Sequence, residues 1–285
     1  MSKFEVVFLL ALACHVAASQ RIKTDVGYSN DVAQRLDLRT PASTGFATLI
    51  FVHGGSLTSG DKADSDYAHV CDSFPAVGIA CVNANYRLGP QHSWPAQAED
   101  LSSAIVWVRT NIAAYGGNPK KLFLLGHSSG ATLVALVGSD ARYLAKHGMK
   151  PSDLRGVMAM GSIMWDDELE QAIAQHGRDT IAQNFLRDPG NRMYGSFERY
   201  QDHWPVNHIH ADLPPFLFLI AESEQEQPPV LKTNVKFVED ARKFGNEADY
   251  KVFIGRKHFT MVRQLHQPGD AVFAVILEFI RHHNL

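Results

Sequence analysis

The chain has 285 residues, of which 45% are hydrophobic and 20% are charged, a composition typical of ordinary folded proteins. This length is enough for one large α/β domain, and by itself it also fits two small domains. The formal net charge of −3 argues against nucleic acid or an anionic membrane surface as a partner.

The first residues follow the layout of a secretory signal peptide. Lys3 precedes an apolar run over residues 6–16, and small residues follow at 17–19. The run is too short to cross a bilayer, so no stable membrane insertion is expected. We predict a signal peptide over residues 1–19, a secreted protein, and one domain over residues 20–285. A buried N-terminal helix is the alternative explanation.

Strand-like and helix-like segments alternate from about Arg35 onward. Near-continuous apolar runs are typical of strands buried on both faces, and segments with helical spacing separate them. The alternation predicts an α/β fold with a mostly parallel sheet covered by helices on both faces. The predicted strands begin at Arg35 and cover 48–55, 78–88, 121–126, 155–163, 215–222 and 249–255, and the predicted helices begin at Pro95, Ser129, Val230 and Ala271.

One long polar segment, residues 164–212, interrupts this rhythm. Segments of that length between two strands are usually functional, and we interpret it as a small helical cap over the carboxyl edge of the sheet. It contributes Trp165 and Trp204, which with Trp94 are candidate pocket residues or core residues. Its histidines, at positions 203, 208 and 210, match no metal-ligand spacing, so no metal is expected.

Two further features concern stability. If residues 1–19 are removed, Cys71 and Cys81 remain, and they form either one disulfide or two buried thiols. Cys71 falls in a predicted helix and Cys81 in a predicted strand. We interpret Arg87 as structural, paired with a carboxylate such as that of Asp100 or of its neighbour at position 99.

The sequence Gly-His-Ser-Ser-Gly, residues 126–130, lies where a strand meets a helix. Flanking glycines remove the Cβ atoms that would clash in a sharp turn, and the turn would expose the Ser128 hydroxyl at a helix N-terminus. The alternative is an ordinary glycine-bracketed turn in which Ser128 caps the helix. Because a strand precedes the motif and a helix follows it, we favour Ser128 as a nucleophile.

A serine nucleophile needs a base, and the base needs an orienting carboxylate. His258 follows the last predicted strand, whereas His282 and His283 lie in the terminal helix and are poorer candidates. Glu222 and Glu224 both follow the strand before it, with the glutamate at 226 more distant. Glu224 is favoured because it lies further into the loop, where its side chain can turn toward His258.

The early sequence His-Gly-Gly-Ser, residues 53–56, follows a predicted central strand. Its backbone N–H groups are little shielded by side chains and, together with the N–H of Ser129, are suited to holding an oxyanion. By itself this motif is usually only a turn. The order of oxyanion loop, serine, acid and histidine makes the chemical interpretation the stronger one.

These motifs resemble the α/β-hydrolase superfamily, in particular its carboxylesterase branch of hormone-sensitive-lipase-like, feruloyl-esterase-like and kynurenine-formamidase-like enzymes. The resemblance covers the chain from about Arg35 onward and implies an eight-stranded, mostly parallel sheet. It assigns the nucleophile, base and acid to Ser128, His258 and Glu224, although the family acid is more often Asp. The second and third glycines of the family's early motif correspond to Gly55 and Ser56, which the resemblance makes oxyanion donors together with Ser129.

The resemblance further implies hydrolysis of small to medium carboxylic esters through an acyl-enzyme, without a cofactor. The expected partner is a small-molecule ester, and formation of a homodimer is left as an open question. A kynurenine-formamidase-like amidase with the same triad is one alternative. A non-catalytic binding protein on the same scaffold is the other.

Overall fold

A computed structural model describes residues 21–225 and 230–284. The expected α/β architecture is confirmed: eight strands form one sheet in the order β1-β2-β4-β3-β5-β6-β7-β8. β1, β2 and β4 pair antiparallel, whereas all pairs from β4 through β8 are parallel. The strands are β1 (Arg21–Gly27), β2 (Arg35–Thr40), β3 (Phe46–Val52), β4 (Ala80–Ala84), β5 (Gly117–His127), β6 (Gly156–Met160), β7 (Phe216–Ala221) and β8 (Ala248–Phe253).

The helices pack on both faces of this sheet and divide the core into two layers. One layer contains α1 and α2, and the other contains the terminal helix α9. Between β6 and β7 lie three short helices, α4 to α6, within the segment interpreted as a cap. The helices are α1 (Ala96–Asn111), α2 (Ser129–Ser139), α3 (Ala141–Ala145), α4 (Asp167–His176), α5 (Arg178–Phe185), α6 (Phe197–Asp202), α7 (Val230–Lys243), α8 (His258–Arg263) and α9 (Ala271–His283).

The central strands are apolar because helices cover both of their faces. Every residue of β3 and of β7 is buried, which matches the continuous hydrophobic runs in the sequence. Parallel strands place all their carboxyl ends at one edge of the sheet. The loops after β3, β5, β7 and β8 therefore meet at this edge, and they carry the candidate site residues.

Two local expectations were wrong or incomplete. The edge strand β1 was not predicted because its side chains are mostly exposed and polar, so it lacks a hydrophobic signal. Cys71 lies among turns and not in a helix. The backbone bonds around Cys71, from Val70 N–H to Tyr67 O and from Asp72 N–H to His69 O, span three residues and form turns instead of a continuous α-helical ladder.

The structure also resolves the two stability features. Cys71 and Cys81 form a disulfide with a Cα–Cα distance of 5.3 Å. The predicted pairing of Arg87 is confirmed, since its guanidinium lies 2.6 Å from the buried Asp100 carboxylate.

Within residues 21–225 and 230–284, no helix combines the length and apolar character that a membrane crossing requires. The proposed signal peptide, residues 1–19, lies outside the described residues.

Candidate active site

Ser128 occupies a strained turn between β5 and α2. Its φ and ψ angles are 54° and −132°, a region that non-glycine residues rarely adopt. The backbone N–H of Ser128 donates to Met160 O at 2.9 Å, which fixes the turn against β6. Strain of this kind persists only where surrounding structure enforces it, and here it presents the hydroxyl at the start of a helix.

The glycines around Ser128 are required by close backbone contacts. A Cβ at Gly126 would lie 2.1 Å from Gly130 O, and one at Gly130 would lie 2.4 Å from His53 O. A Cβ at Gly54 would lie 2.7 Å from the Ser128 Cβ. The loop after β3 and the turn after β5 therefore approach as closely as they do only because these positions lack side chains.

Glu224 and His258 meet at the same edge of the sheet. His258 Nδ1 lies 2.6 Å from Glu224 Oε1, and the Glu224 side chain is only 4% exposed. The second carboxylate oxygen accepts a 2.8 Å bond from the Ala221 N–H. With both oxygens engaged, Glu224 fixes the orientation of the imidazole, whereas Glu222 binds the Gly255 N–H instead.

Ser128 lies beside this pair without bonding to it. Among the described residues its hydroxyl makes no hydrogen bond with His258, a contact that commonly tightens only when substrate binds. The assignment of Ser128, His258 and Glu224 as a catalytic triad stays a prediction.

Gly161 is a site residue that sequence reasoning missed. It follows β6 with a φ of +66°, and a Cβ there would lie 2.6 Å from Glu224 Oε1 and 3.1 Å from His258 Nδ1. The contact between acid and histidine therefore depends on a glycine that neither motif contains. Its sequence signal, a glycine near the end of the predicted strand 155–163, was present but not distinctive.

The loop after β3 places the predicted oxyanion donors near Ser128. Ser56 and Leu57 both have left-handed backbone angles, with φ values of 54° and 61°. The Leu57 N–H donates to Ser129 Oγ at 3.2 Å and so ties this loop to the start of α2. Within the described part of the chain, the N–H groups of Gly55, Ser56 and Ser129 donate to no other residue, which leaves them available to a ligand.

His53 stabilises this loop through buried contacts. It is fully buried, stacks on Tyr86 with ring centroids 4.5 Å apart, and contacts Gly54 O through Nδ1 at 2.7 Å. Tyr86 in turn donates its hydroxyl to His53 O at 3.0 Å. Burial lowers the pKa of His53, so the imidazole is neutral and acts as a packing and hydrogen-bonding group.

His127 is a second residue whose importance sequence reasoning missed. It is fully buried beside Ser128; its Nε2 lies 3.1 Å from His258 O and its Nδ1 lies 3.2 Å from the Tyr67 hydroxyl. Burial, aided by the neighbouring His258, lowers the pKa of His127 to about 3. Because a carbonyl only accepts, Nε2 carries the single proton and donates it, while Nδ1 accepts from Tyr67. The contact fixes the backbone of the loop that carries His258.

Ser128 opens into a cavity of about 270 Å³. One wall is α2, and the other is formed by Trp94 together with residues of the segment between β6 and β7. Trp165 does not line it and lies instead near Lys232 and Lys236. The lining residues are Ser56, Leu57, Trp94, Ser128, Ser129, Thr132, Leu133, Leu136, Ser162, Ile163, Tyr194, His203 and Trp204.

A more open cleft of about 370 Å³ lies on the other side of Ser128. Glycines of the loop after β3 form its floor, and Asp64, Asp66, Tyr67 and Phe259 line its sides. Ser128 thus lies between two cavities, one bordered by α2 and the segment after β6 and one bordered by the loop after β3. A substrate bound at Ser128 can therefore extend in two directions.

The three histidines considered as metal ligands do not converge. His203 contacts Tyr200 O, His208 contacts Asp202 O and His210 contacts Ser139 O, each through a ring nitrogen. Burial lowers the pKa of His203 to about 3, so it is a neutral member of the aromatic wall.

Comparison with known proteins places the chain in a family. The BD-FAE family model matches residues 36–234, which include the turn at Ser128 and the pocket walls. The chain belongs to the BD-FAE family. It is also 31% identical over 205 residues to a probable carboxylic ester hydrolase, LipM, of Mycobacterium tuberculosis. That match covers 70% of this chain and 45% of LipM, so the chain spans about half the length of the curated relatives it matches.

Solved structures confirm the α/β-hydrolase fold. A truncated carbohydrate esterase from gut microbiota superposes with a TM-score of 0.72 at 18% identity, covering 94% of this chain and 98% of that one. The butyrate-bound esterase Est2 of Thermogutta terrifontis superposes with a TM-score of 0.69 at 22% identity, covering 94% and 95%. The chain thus shares its fold with esterases of similar size.

Proposed function

We propose that the protein is a serine carboxylesterase that hydrolyses small to medium esters through a Ser128–His258–Glu224 triad. The observation that carries the proposal is the convergence of a strained serine, a carboxylate-bound histidine and three unpaired backbone N–H groups at one edge of the sheet. The ester-hydrolase relatives support the same chemistry.

In this mechanism Ser128 Oγ attacks the ester carbonyl while His258 Nε2 takes its proton. Glu224, bound to Nδ1, stabilises the imidazolium that forms. The N–H groups of Gly55, Ser56 and Ser129 hold the negative oxygen of the tetrahedral intermediate, which contributes about 3–4 kcal/mol per donor to barrier lowering in comparable sites. The alcohol leaves with the proton from His258, and water then attacks the acyl-enzyme by the same route.

We assign the acyl group and the alcohol of the ester to the two cavities beside Ser128. The cavity of about 270 Å³ beside α2 takes the acyl group, and the more open cleft lets the alcohol extend into solvent. Est2, which carries butyrate in its solved structure, supports a short acyl group. Turnover should therefore fall steeply as the acyl chain lengthens and change little as the alcohol grows.

The test is hydrolysis of p-nitrophenyl esters from acetate to decanoate, with a parallel series of growing alcohols on one butyryl group. We expect turnover of acetate and butyrate, and loss of all turnover above background in Ser128→Ala. Ser103→Ala, which removes a hydroxyl from α1, is the matched control and should stay active. Activity that survives in Ser128→Ala contradicts the proposal.

The same panel includes an N-formyl aromatic amide, which tests the amidase alternative. The aromatic wall formed by Trp94, Tyr194 and Trp204 is suited to an aromatic substrate and so favours this second candidate. Faster cleavage of the amide than of every ester, abolished in Ser128→Ala, would replace the esterase assignment with an amidase one.

We also propose that the protein is exported after removal of residues 1–19. The disulfide between Cys71 and Cys81 supports this, because such bonds persist mainly in oxidising compartments. N-terminal sequencing of the protein from its native source tests the proposal: a mature chain that starts near residue 20 is expected, and one that starts at residue 1 or 2 contradicts it.

A further inference from the structure

Two adjacent histidines and a glutamate converge far from Ser128. His282 and His283 are the last residues of α9, and Glu247 lies immediately before β8. One ligand atom from each side chain lies within 4.8 Å of the other two. No other group of three such side chains meets this criterion within residues 21–225 and 230–284.

The geometry of this group suits a tetrahedral metal ion. Ligands held at 2.0–2.1 Å from zinc with tetrahedral angles lie about 3.3 Å from one another. His283 Nε2 and Glu247 Oε1 are already 3.4 Å apart. A ring nitrogen of His282 lies within 4.8 Å of both other ligand atoms, and this side chain is exposed, so it is free to adjust around an ion.

Part of the site is held in place before any ion binds. The His283 side chain is only 11% exposed and packs edge-to-face against Phe279, with ring centroids 4.5 Å apart. Glu247 is anchored through its backbone carbonyl, which accepts a 3.0 Å bond from the Phe216 N–H. Two of the three ligands therefore start from fixed backbone positions on different elements.

The donor set selects the kind of ion. Two imidazole nitrogens and one carboxylate oxygen suit zinc and similar transition metals, whereas magnesium and calcium prefer oxygen ligands alone. The side chains border an open cleft of about 300 Å³, where water can supply the fourth ligand. We propose that Glu247, His282 and His283 form a binding site for a divalent transition metal ion of the zinc type.

The location indicates what the ion does. Glu247 precedes β8 and so lies at the amino edge of the sheet, whereas Ser128 and His258 lie at the carboxyl edge. An ion here joins the end of α9 to the start of β8 and stabilises the folded chain, since it binds only when both elements are in place. This role is separate from ester hydrolysis. Sequence spacing does not reveal it because Glu247 is remote from the histidine pair.

The test is calorimetric titration of the full chain, freed of metal and carrying no histidine tag, with zinc chloride. We expect a dominant site of one ion per chain. The affinity should fall about tenfold or more in His282→Ala/His283→Ala. His176→Ala, which removes an exposed histidine from α4, is the matched control and should bind as the parent does. Unchanged affinity and stoichiometry in the double variant, or no binding by the parent chain, overturns the proposal.

A second variant keeps the proposal testable if the double histidine variant does not fold. Glu247 is 62% exposed in its side chain, so Glu247→Gln removes the carboxylate ligand without disturbing the core. Zinc chloride should raise the thermal unfolding midpoint of the parent chain and raise it less in Glu247→Gln, and magnesium chloride should raise neither. An equal zinc-induced rise in both chains contradicts the site even where the double variant does not fold.

Discussion

Glu224 Oε1 contacts His258 Nδ1 at 2.6 Å, and Gly161, which has no side chain, lies directly beside this contact. The carboxylate is almost fully buried and its other oxygen is bound to the Ala221 N–H, so it has little freedom to move. The proposed acid–base pair thus depends on the absence of a side chain at one position of a neighbouring strand end.

Gly161→Ala should lower turnover strongly while leaving the chain folded. The added methyl would lie 2.6 Å from Glu224 Oε1 and so must displace the carboxylate or the imidazole. Gly148→Ala is the matched control, because Gly148 has nearly the same backbone angle, with φ values of +67° and +66°, but open space around it. Both variants should lose about 1 kcal/mol of stability from backbone strain, and only Gly161→Ala should lose turnover. Equal turnover in the two variants contradicts this account.

His127→Ala should reduce turnover by releasing the loop that carries His258. The change leaves His258 O without its donor, an omission that typically costs about 1–3 kcal/mol in a buried site. His127→Gln places an amide nitrogen near the position of Nε2 and should restore part of the turnover, whereas the shorter His127→Asn should not. The measurement is kcat and KM for a butyryl ester; a loss confined to KM, or no difference between Gln and Asn, speaks against the positioning role.

Acid should destabilise the fold through its buried histidines. Burial lowers the pKa of both His127 and His203 to about 3, whereas an unfolded histidine titrates near 6.5. Between these values the unfolded chain binds protons that the folded chain does not. The free energy of unfolding therefore falls as pH drops from 6.5 toward 3, by up to about 1.4 kcal/mol per pH unit for each histidine.

The measurement is urea unfolding at a series of pH values. His203→Phe keeps an aromatic ring in the wall but removes one titrating group, so its stability should depend less steeply on pH. His176→Ala, at an exposed histidine, should keep the parent slope. If the stability of His203→Phe depends on pH as steeply as that of the parent chain, His203 does not titrate as its burial implies.

Removing the disulfide should weaken the fold measurably. Cys71 and Cys81 are separated by 10 residues, and closing a loop of that size stabilises a protein by about 3 kcal/mol in the chain-entropy model. Cys71→Ala/Cys81→Ala should therefore unfold at lower denaturant concentration than the oxidised parent. The reduced parent should behave like the double variant, and equal midpoints for oxidised and reduced parent argue against the bond.

The fold and the residues at the ends of strands were predictable because their signals are local. Continuous apolar runs mark the central strands, and Ser128 and Glu224 each follow such a run at a turn. His258 follows the mostly exposed edge strand β8. The edge strand β1 escaped prediction because an exposed strand does not need apolar residues. Local polarity thus identifies where chemistry can occur but not every element that supports it.

The supporting contacts were not predictable because they join distant parts of the chain. The sequence does not show that Gly161 borders Glu224 or that His127 donates to the carbonyl of His258. The disulfide could be named as one of two outcomes, since it depends on a spacing between Cys71 and Cys81 that only the folded chain sets.

The central claim is that Ser128 is the nucleophile, and covalent labelling tests it most directly. The chain is treated with a fluorophosphonate, its intact mass is measured, and the labelled peptide is sequenced by mass spectrometry. The account predicts one adduct per chain, located on Ser128 and not on the adjacent Ser129, and no adduct in Ser128→Ala. A parent chain that stays unlabelled, or a label that persists in Ser128→Ala, would contradict it.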